Sequence, residues 1–243
     1  MKKVKAILCD FDGTLANYDG NIILGIKTLI KKIQDKNVKF SLATGRPYYS
    51  SIKKAEDELD IKGIHILQNG AMVFNSLTNK ILLHHTISNE SIAVIVKYLL
   101  SVKLVFSMEG NDTVYISHIL KRATFYPDIP NKTVTQFNKA KEISKIVIYA
   151  RANQLTETEI NFHIKNLQKS CSDISAIRFK SFNFFGADIT SERATKHTAV
   201  LEYLKILDLT PDEVVAIGDG PNDYPLFTAC GFGIAMAKAP KEL

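Results

Sequence analysis

Apolar and polar positions follow two patterns along this chain. In the first, short apolar runs sit beside stretches of helical periodicity. Residues 4–9 form an apolar run whose one charge is Lys5, and the polar residues after it mark a buried strand meeting its loop. Residues 21–35 carry Ile22, Ile26, Leu29, Ile30 and Ile33 at helical spacing and predict a helix. Residues 39–43 predict a second strand, and Pro47 suits the first turn of a helix running to Leu59. Residues 64–67 predict a third strand. Residues 72–74 and 80–83, split by Asn75-Ser76-Leu77-Thr78-Asn79, predict a hairpin.

After the hairpin the pattern changes. Ser88 is placed to cap a helix reaching Leu100, with Ile92, Ile95, Val96 and Leu99 on one face. Strands are predicted at 102–108 and 113–117, around Gly110-Asn111-Asp112. Residues 120–138 are polar, hold Pro127 and Pro130, and predict loop. A strand follows at 145–150. Thr156-Glu157-Thr158-Glu159 has the capping-box form and opens a helix to Ser170. Residues 177–188 predict one strand with a bend near Gly186. From Thr190 the first pattern resumes. A helix is predicted at 195–207, a helical turn from Thr210-Pro211-Asp212-Glu213, a strand at 214–217, a helix or turn at 225–230 and a strand at 233–236.

Strand–helix alternation implies a parallel sheet with right-handed crossovers, and clustered elements imply a separate layer. The predicted fold class is α/β: a doubly wound, Rossmann-like parallel-sheet core at 1–83 and 187–243, with an inserted α/β domain at 84–186. No internal repeat or low-complexity tract interrupts it.

Composition narrows the function classes. No apolar run reaches the length of a membrane span, and Met1-Lys2-Lys3 leads straight into a strand rather than a signal peptide. A formal charge of +6 over 243 residues favours anionic ligands. Its lysines and arginines are scattered, which argues against nucleic acid as a partner. Cys9, Cys171 and Cys230 are odd in number and far apart, so the expected setting is a reducing cytoplasm, with neither a disulfide frame nor a zinc site. His84-His85 reads as polar surface at a segment boundary.

Candidate chemistry begins at Asp10-Phe11-Asp12-Gly13-Thr14, which closes the first strand. In an open α/β sheet, ligands bind outside the carboxyl ends of the strands. Two carboxylates two residues apart leave a strand end on the same side and repel unless a cation or proton is shared. Such a pair suits a metal site, an acid/base pair or an aspartate nucleophile. Three more fragments stand at element tips: Ser41-Leu42-Ala43-Thr44-Gly45-Arg46, Lys196, and Gly218-Asp219-Gly220-Pro221-Asn222-Asp223. Each alone has a plainer reading. Thr14 and Thr44 read as caps, Lys196 as a surface helix residue, and the Gly-Asp-Gly as a turn.

Together, in this order and spacing, the four fragments resemble the motifs of the haloacid dehalogenase (HAD) superfamily of phosphohydrolases. The Asn69-Gly70-Ala71 turn and the form of Gly218–Asp223 look like its Cof-type sugar-phosphate phosphatases. The resemblance spans nearly the whole chain. It implies Mg²⁺-dependent hydrolysis of a small phosphorylated metabolite through an aspartyl-phosphate on Asp10. Asp12 matches the acid/base, and its backbone carbonyl a metal ligand. Asp10, Asp219 and Asp223 match the other ligands. Thr44 and Lys196 match the groups that hold and neutralise the phosphoryl group, and Gly45, Arg46 and Asn222 match phosphate or substrate contacts. The inserted segment is the expected specificity element, with Tyr115, Arg122, Phe125, Tyr126 and Lys180 as candidate contacts. A phosphomutase of the same superfamily and a catalytically weak sugar-phosphate-binding protein are the alternatives; a monomer or weak homodimer is expected.

The chain departs from the family pattern at three places. His197 stands where relatives carry Gly, Gly220 where Ser is common, and Ala237-Lys238 where Gly-Asn is common. Relatives also continue past the helix that Pro240-Lys241-Glu242-Leu243 opens, so a short member or a piece of a longer chain is expected.

Overall fold

The computed structural model describes residues 3–17, 20–117, 130–139, 141–150, 152–181, 184–241 and 243. It divides into two units, one running to His84 and resuming at Thr195, the other spanning His85–Ala194. The first unit opens with β1 (Ala6–Cys9), α1 (Ile26–Gln34), β2 (Lys39–Leu42), α2 (Lys53–Leu59), β3 (Ile64–Leu67), β4 (Met72–Asn75) and β5 (Lys80–His84). The second holds α3 (Asn89–Ser101), β6 (Phe106–Gly110), β7 (Val114–Ile116), β8 (Asn131–Thr133), β9 (Ile143–Tyr149), α4 (Glu157–Ser170), β10 (Ile174–Ser181) and β11 (Phe184–Ser191). The chain then returns to the first unit with α5 (Lys196–Leu207), β12 (Val214–Gly218), α6 (Tyr224–Ala229) and β13 (Phe232–Ala235).

The first unit is built on a parallel sheet in the order β13-β12-β1-β2. Its two central strands, β1 and β12, are apolar on both sides because both faces are covered there. In β1, Ala6 and Leu8 pack with Tyr203 and Leu204 of α5 and Leu226 of α6. Ile7 and Cys9 face the other way, toward Ile30 of α1 and Leu59 of α2. Leu8 is fully buried, so its truncation to Ala would cost about 2–5 kcal/mol. Ser41, a polar residue in this core, is satisfied by a 2.9 Å hydrogen bond with the Tyr203 hydroxyl.

Beyond β2 the sheet changes character. One parallel bridge, Ala43 to Ile66, joins β2 to β3, and β3, β4 and β5 then pair antiparallel. A histidine fills the gap. The Leu42 N–H donates to His65 Nδ1 at 3.1 Å, where a neighbouring strand would offer a carbonyl. That bond leaves the ring proton on Nε2, which lies 3.9 Å from Glu56 Oε1 of α2. The half-buried Ser76 hydroxyl donates to the same carboxylate, which ties α2 to the β4–β5 turn beside the buried His65 ring.

Some element bounds differ from expectation. The first helix starts at Ile26 rather than residue 21, because Asn17 holds Asn21 through its side chain and residues 16 and 22 form a bridge. A wide π-type turn, Tyr48–Ile52, precedes α2.

The second unit holds a six-stranded sheet in the order β10-β11-β9-β6-β7-β8, antiparallel except for β7 with β8. Ile95 and Leu99 of α3 and Ile160, Ile164 and Leu167 of α4 share its core with Phe106, Met108, Ile146 and Ile148. Ser88 caps α3 by accepting the Ser91 N–H at 3.1 Å, and Thr156 and Glu159 form the capping box of α4. The single strand expected at 177–188 is a hairpin. β10 and β11 pair from Ile174 with Ser191 to Ser181 with Phe184, so Gly186 sits within a strand rather than at a bend. β8 occupies part of the segment that reads as loop, an edge of three exposed residues that carries no apolar signal. Among the described residues no helix is long and apolar enough to cross a membrane.

Candidate active site

The site forms where β1, β2 and β12 end side by side. Strand pairing continues one residue past β1, with the Asp10 N–H donating to the Ile217 carbonyl at 2.8 Å. The Asp10 side chain therefore leaves the sheet at its carboxyl edge, and it is buried. α5 brings the counter-charge. Thr195 caps that helix by accepting the Thr198 N–H at 3.0 Å, which fixes Lys196 as its first residue. Lys196 Nζ, also buried, lies 2.7 Å from Asp10 Oδ1 and 2.6 Å from Asp223 Oδ1.

This pairing shapes the charge states. Burial alone would lower the Lys196 pKa, but Asp10 and Asp223 outweigh it and push the value up, so the ammonium stays charged. For Asp10, burial is the largest influence and raises the pKa. Lys196 opposes it, Asp223 adds to it, and the carboxyl ends at about 7.

The third corner comes from the turn after β12. The Asp219 and Gly220 N–H groups both donate to Asp223 Oδ2, at 3.0 and 3.1 Å. A Cβ at Gly218 would lie 2.5 Å from Asp223 Cγ, so a residue without a side chain is what lets Asp223 fold under its own turn. Asp219 accepts the Thr14 hydroxyl at 3.1 Å. One carboxylate oxygen from each of Asp10, Asp219 and Asp223 can lie within 4.8 Å of the other two. The Lys196 ammonium pairs with Asp10 and Asp223, and Asp219 adds a third carboxylate, which leaves an excess of negative charge among hard oxygen donors. That donor set fits Mg²⁺.

The Asp12 carboxylate stands outside this cluster. Arg46 grips it as a fork, with Nε at 2.7 Å from Oδ2 and Nη2 at 2.5 Å from Oδ1. The guanidinium also donates to the Ser51 hydroxyl at 2.9 Å and lies 5.4 Å from the Phe11 ring centroid. Arg46, expected on substrate, thus holds a carboxylate of the protein. Thr44 is buried; its N–H donates to the Ile66 carbonyl at 2.9 Å and its hydroxyl accepts the Arg46 N–H at 3.2 Å. Gly45 follows in the same loop, and Asn222 is exposed on the turn Pro221–Asp223.

Two contacts have no signature in the sequence. The Thr14–Asp219 bond joins residues 205 apart, and the Asp12–Arg46 fork joins residues 34 apart. His197 does not crowd the site, since its Nδ1 meets the Thr228 hydroxyl of α6 at 3.3 Å. Tyr115, expected as a substrate contact, is instead 2% exposed and packs edge-on to Phe137 in the core of the second unit. Arg122, Phe125 and Tyr126 lie outside the described residues, as does the side chain of Lys180.

Comparison with known proteins agrees with this geometry. The family model described as haloacid dehalogenase-like hydrolase matches residues 7–243. The chain is 26% identical to the 5-amino-6-(5-phospho-D-ribitylamino)uracil phosphatase YwtE of Bacillus subtilis, over 99% of this chain and 90% of that protein. A haloacid dehalogenase-like hydrolase from Bacteroides thetaiotaomicron superposes with a TM-score of 0.82 at 23% identity, over 99% of this chain and 91% of its own. The subclass IIB sugar phosphatase BT4131 superposes with a TM-score of 0.79 at 20% identity, over 98% and 90%.

Proposed function

The chain belongs to the haloacid dehalogenase-like hydrolase family, and we propose that it is a Mg²⁺-dependent phosphatase of a small phosphorylated metabolite, a sugar phosphate, working through an aspartyl-phosphate on Asp10. The observation that carries this reading is the buried carboxylate of Asp10 at a strand tip, 2.7 Å from the Lys196 ammonium. A phosphate monoester is a dianion, and an anionic nucleophile needs that charge neutralised. Lys196 occupies Asp10 Oδ1, so Oδ2 is the atom that attacks phosphorus. The phosphoryl group passes to Asp10 as the bond to the leaving alcohol breaks.

Asp12 gives a proton to that alcohol and then takes one from the water that hydrolyses the intermediate. Phosphate leaves and the Asp10 carboxylate is restored. Arg46 orients the Asp12 carboxylate before reaction; one oxygen must leave the fork and take up a proton from solvent before Asp12 can give it to the alcohol. Thr44 contributes its hydroxyl, and Gly45 and Asn222 border the phosphate. Asp10, Asp219 and Asp223, with the Asp12 carbonyl, would hold Mg²⁺, which when bound supplies positive charge to the phosphoryl group.

The relatives' names support the substrate class. YwtE is named for a ribityl phosphate and BT4131 for sugar phosphates. Free Cys9, Cys171 and Cys230 support a reducing cytoplasm as the setting. The test is a panel of phosphorylated metabolites scored by phosphate release. Sugar phosphates should be hydrolysed with Mg²⁺ and spared in excess EDTA. No release from any substrate with Mg²⁺ present would refute the reading.

A further inference from the structure

The three residues after β3 adopt a left-handed conformation. Gln68, Asn69 and Gly70 take φ values of 51°, 58° and 94° in succession. Glycine adopts the left-handed region freely and asparagine readily, but glutamine does so only under strain. Gln68 gains nothing through its side chain to offset this. It is 1% exposed, and among the described residues neither its Nε2 nor its Oε1 meets a hydrogen-bond partner. Such strain persists only where the surroundings over-determine it, and it concentrates at functional sites.

The surroundings are the site itself. On one side the loop holds the segment after β2. The Gln68 N–H donates to the Arg46 carbonyl and the Asn69 N–H to the Thr44 carbonyl, both at 3.1 Å. These bonds bracket Gly45, where an added Cβ would lie 2.7 Å from Asn69 Oδ1. On the other side the loop presses on the start of α5. A Cβ at Gly70 would lie 2.1 Å from the Thr195 carbonyl oxygen and 2.7 Å from the Lys196 nitrogen. The left-handed backbone thus spans the gap between Thr44-Gly45-Arg46 and the helix terminus that carries Lys196.

We propose that Gln68–Gly70 is a positioning element of the site: its strained backbone sets Thr44 and the Arg46–Asp12 pair at a fixed spacing from Lys196. The inference rests on the phosphatase reading above and adds residues that reading does not use. Gly70→Ala puts a methyl where no space exists, so loop and helix must part. A displacement of about 1 Å at a reacting centre can cost roughly 100-fold.

The test compares two inhibitors of the full chain. Orthovanadate, a mimic of the five-coordinate transition state, needs all the groups in register, whereas inorganic phosphate needs only the pocket. Gly70→Ala should lower kcat by roughly 10- to 100-fold and weaken vanadate inhibition by a similar factor, with phosphate inhibition changed less than about threefold. Gln68→Gly guards against a Gly70 variant that fails to fold. Glycine removes the left-handed penalty and the buried unpaired amide, which offsets the cavity it leaves, so the variant should melt within a few degrees of the wild type while kcat falls. A purely structural loop would lose activity only in step with stability. Folded variants with wild-type kcat and vanadate inhibition, or losses proportional to the unfolded fraction, would overturn the inference alone. A wild-type protein that releases no phosphate would overturn the phosphatase reading and this inference with it.

Discussion

Lys196→Met isolates the charge balance on which the site depends. Methionine keeps the length and much of the volume of lysine but removes the ammonium. Asp10 and Asp223 then lose a partner at 2.7 and 2.6 Å in a place where neither is exposed to water. Breaking a buried pair by removing one member costs about 3–5 kcal/mol, because the remaining charge stays uncompensated. At about 2–4 °C per kcal/mol for a domain of this size, the first unit should melt roughly 6–20 °C lower. The deficit should also depend on pH. The Asp10 carboxyl, pushed up to about 7 with the lysine present, rises further without it. Its folded pKa lies above the unfolded value of 3.8, so stability falls as pH rises from about 4 and levels off above the folded pKa. Both proteins share that loss up to about pH 7, so the part of the deficit due to Asp10 should be flat from pH 4 to 7 and grow above it, where only the wild-type carboxyl has ionised. The assay is thermal melting by circular dichroism in EDTA at several pH values, with turnover measured separately and expected to fall at least about 100-fold. Equal melting temperatures, or a deficit that does not change with pH, would refute the buried-pair argument.

Two further outcomes follow from the same geometry. Mg²⁺ needs the carboxylates deprotonated, so it should raise the melting temperature more at pH 7.5 than at pH 5.5, and no shift at either pH would remove the cation site. Arg46→Lys cannot form the fork on Asp12; with both partners 30% exposed, stability should change by less than about 1 kcal/mol, whereas kcat should fall about tenfold or more, and an unchanged kcat would show that the fork does not orient Asp12.

Much of this was readable before any coordinates because parallel core strands advertise themselves. β1 and β12 are near-continuous apolar runs, and the acidic residues that end them had to sit at the sheet's carboxyl edge. Asp10, Lys196, Asp219 and Asp223 lie far apart in the chain, yet each marks the tip of a strand or helix, and the structure brings them together. What stayed hidden has no local signature. Arg46 looked free for substrate, since nothing in the sequence tells a guanidinium to turn toward Asp12. Tyr115 looked available because an aromatic near polar residues reads the same in a core as in a pocket. The β10–β11 hairpin merged into one strand because Gly186, a plausible bend, lies mid-strand, opposite Phe179 and Tyr149. His65 gave no sign that its ring would stand in for a strand carbonyl between β2 and β3.

In the proposed mechanism Asp10 carries the phosphoryl group while Asp12 moves protons. Rapid quench with labelled p-nitrophenyl phosphate separates the two roles. This leaving group needs little protonation, so the Asp12→Asn variant should form the aspartyl-phosphate and then stall for want of an activated water. Label should therefore be trapped on the Asp12→Asn protein and be absent from Asp10→Asn. Label on Asp10→Asn, or ordinary steady turnover by Asp12→Asn, would contradict the assignment.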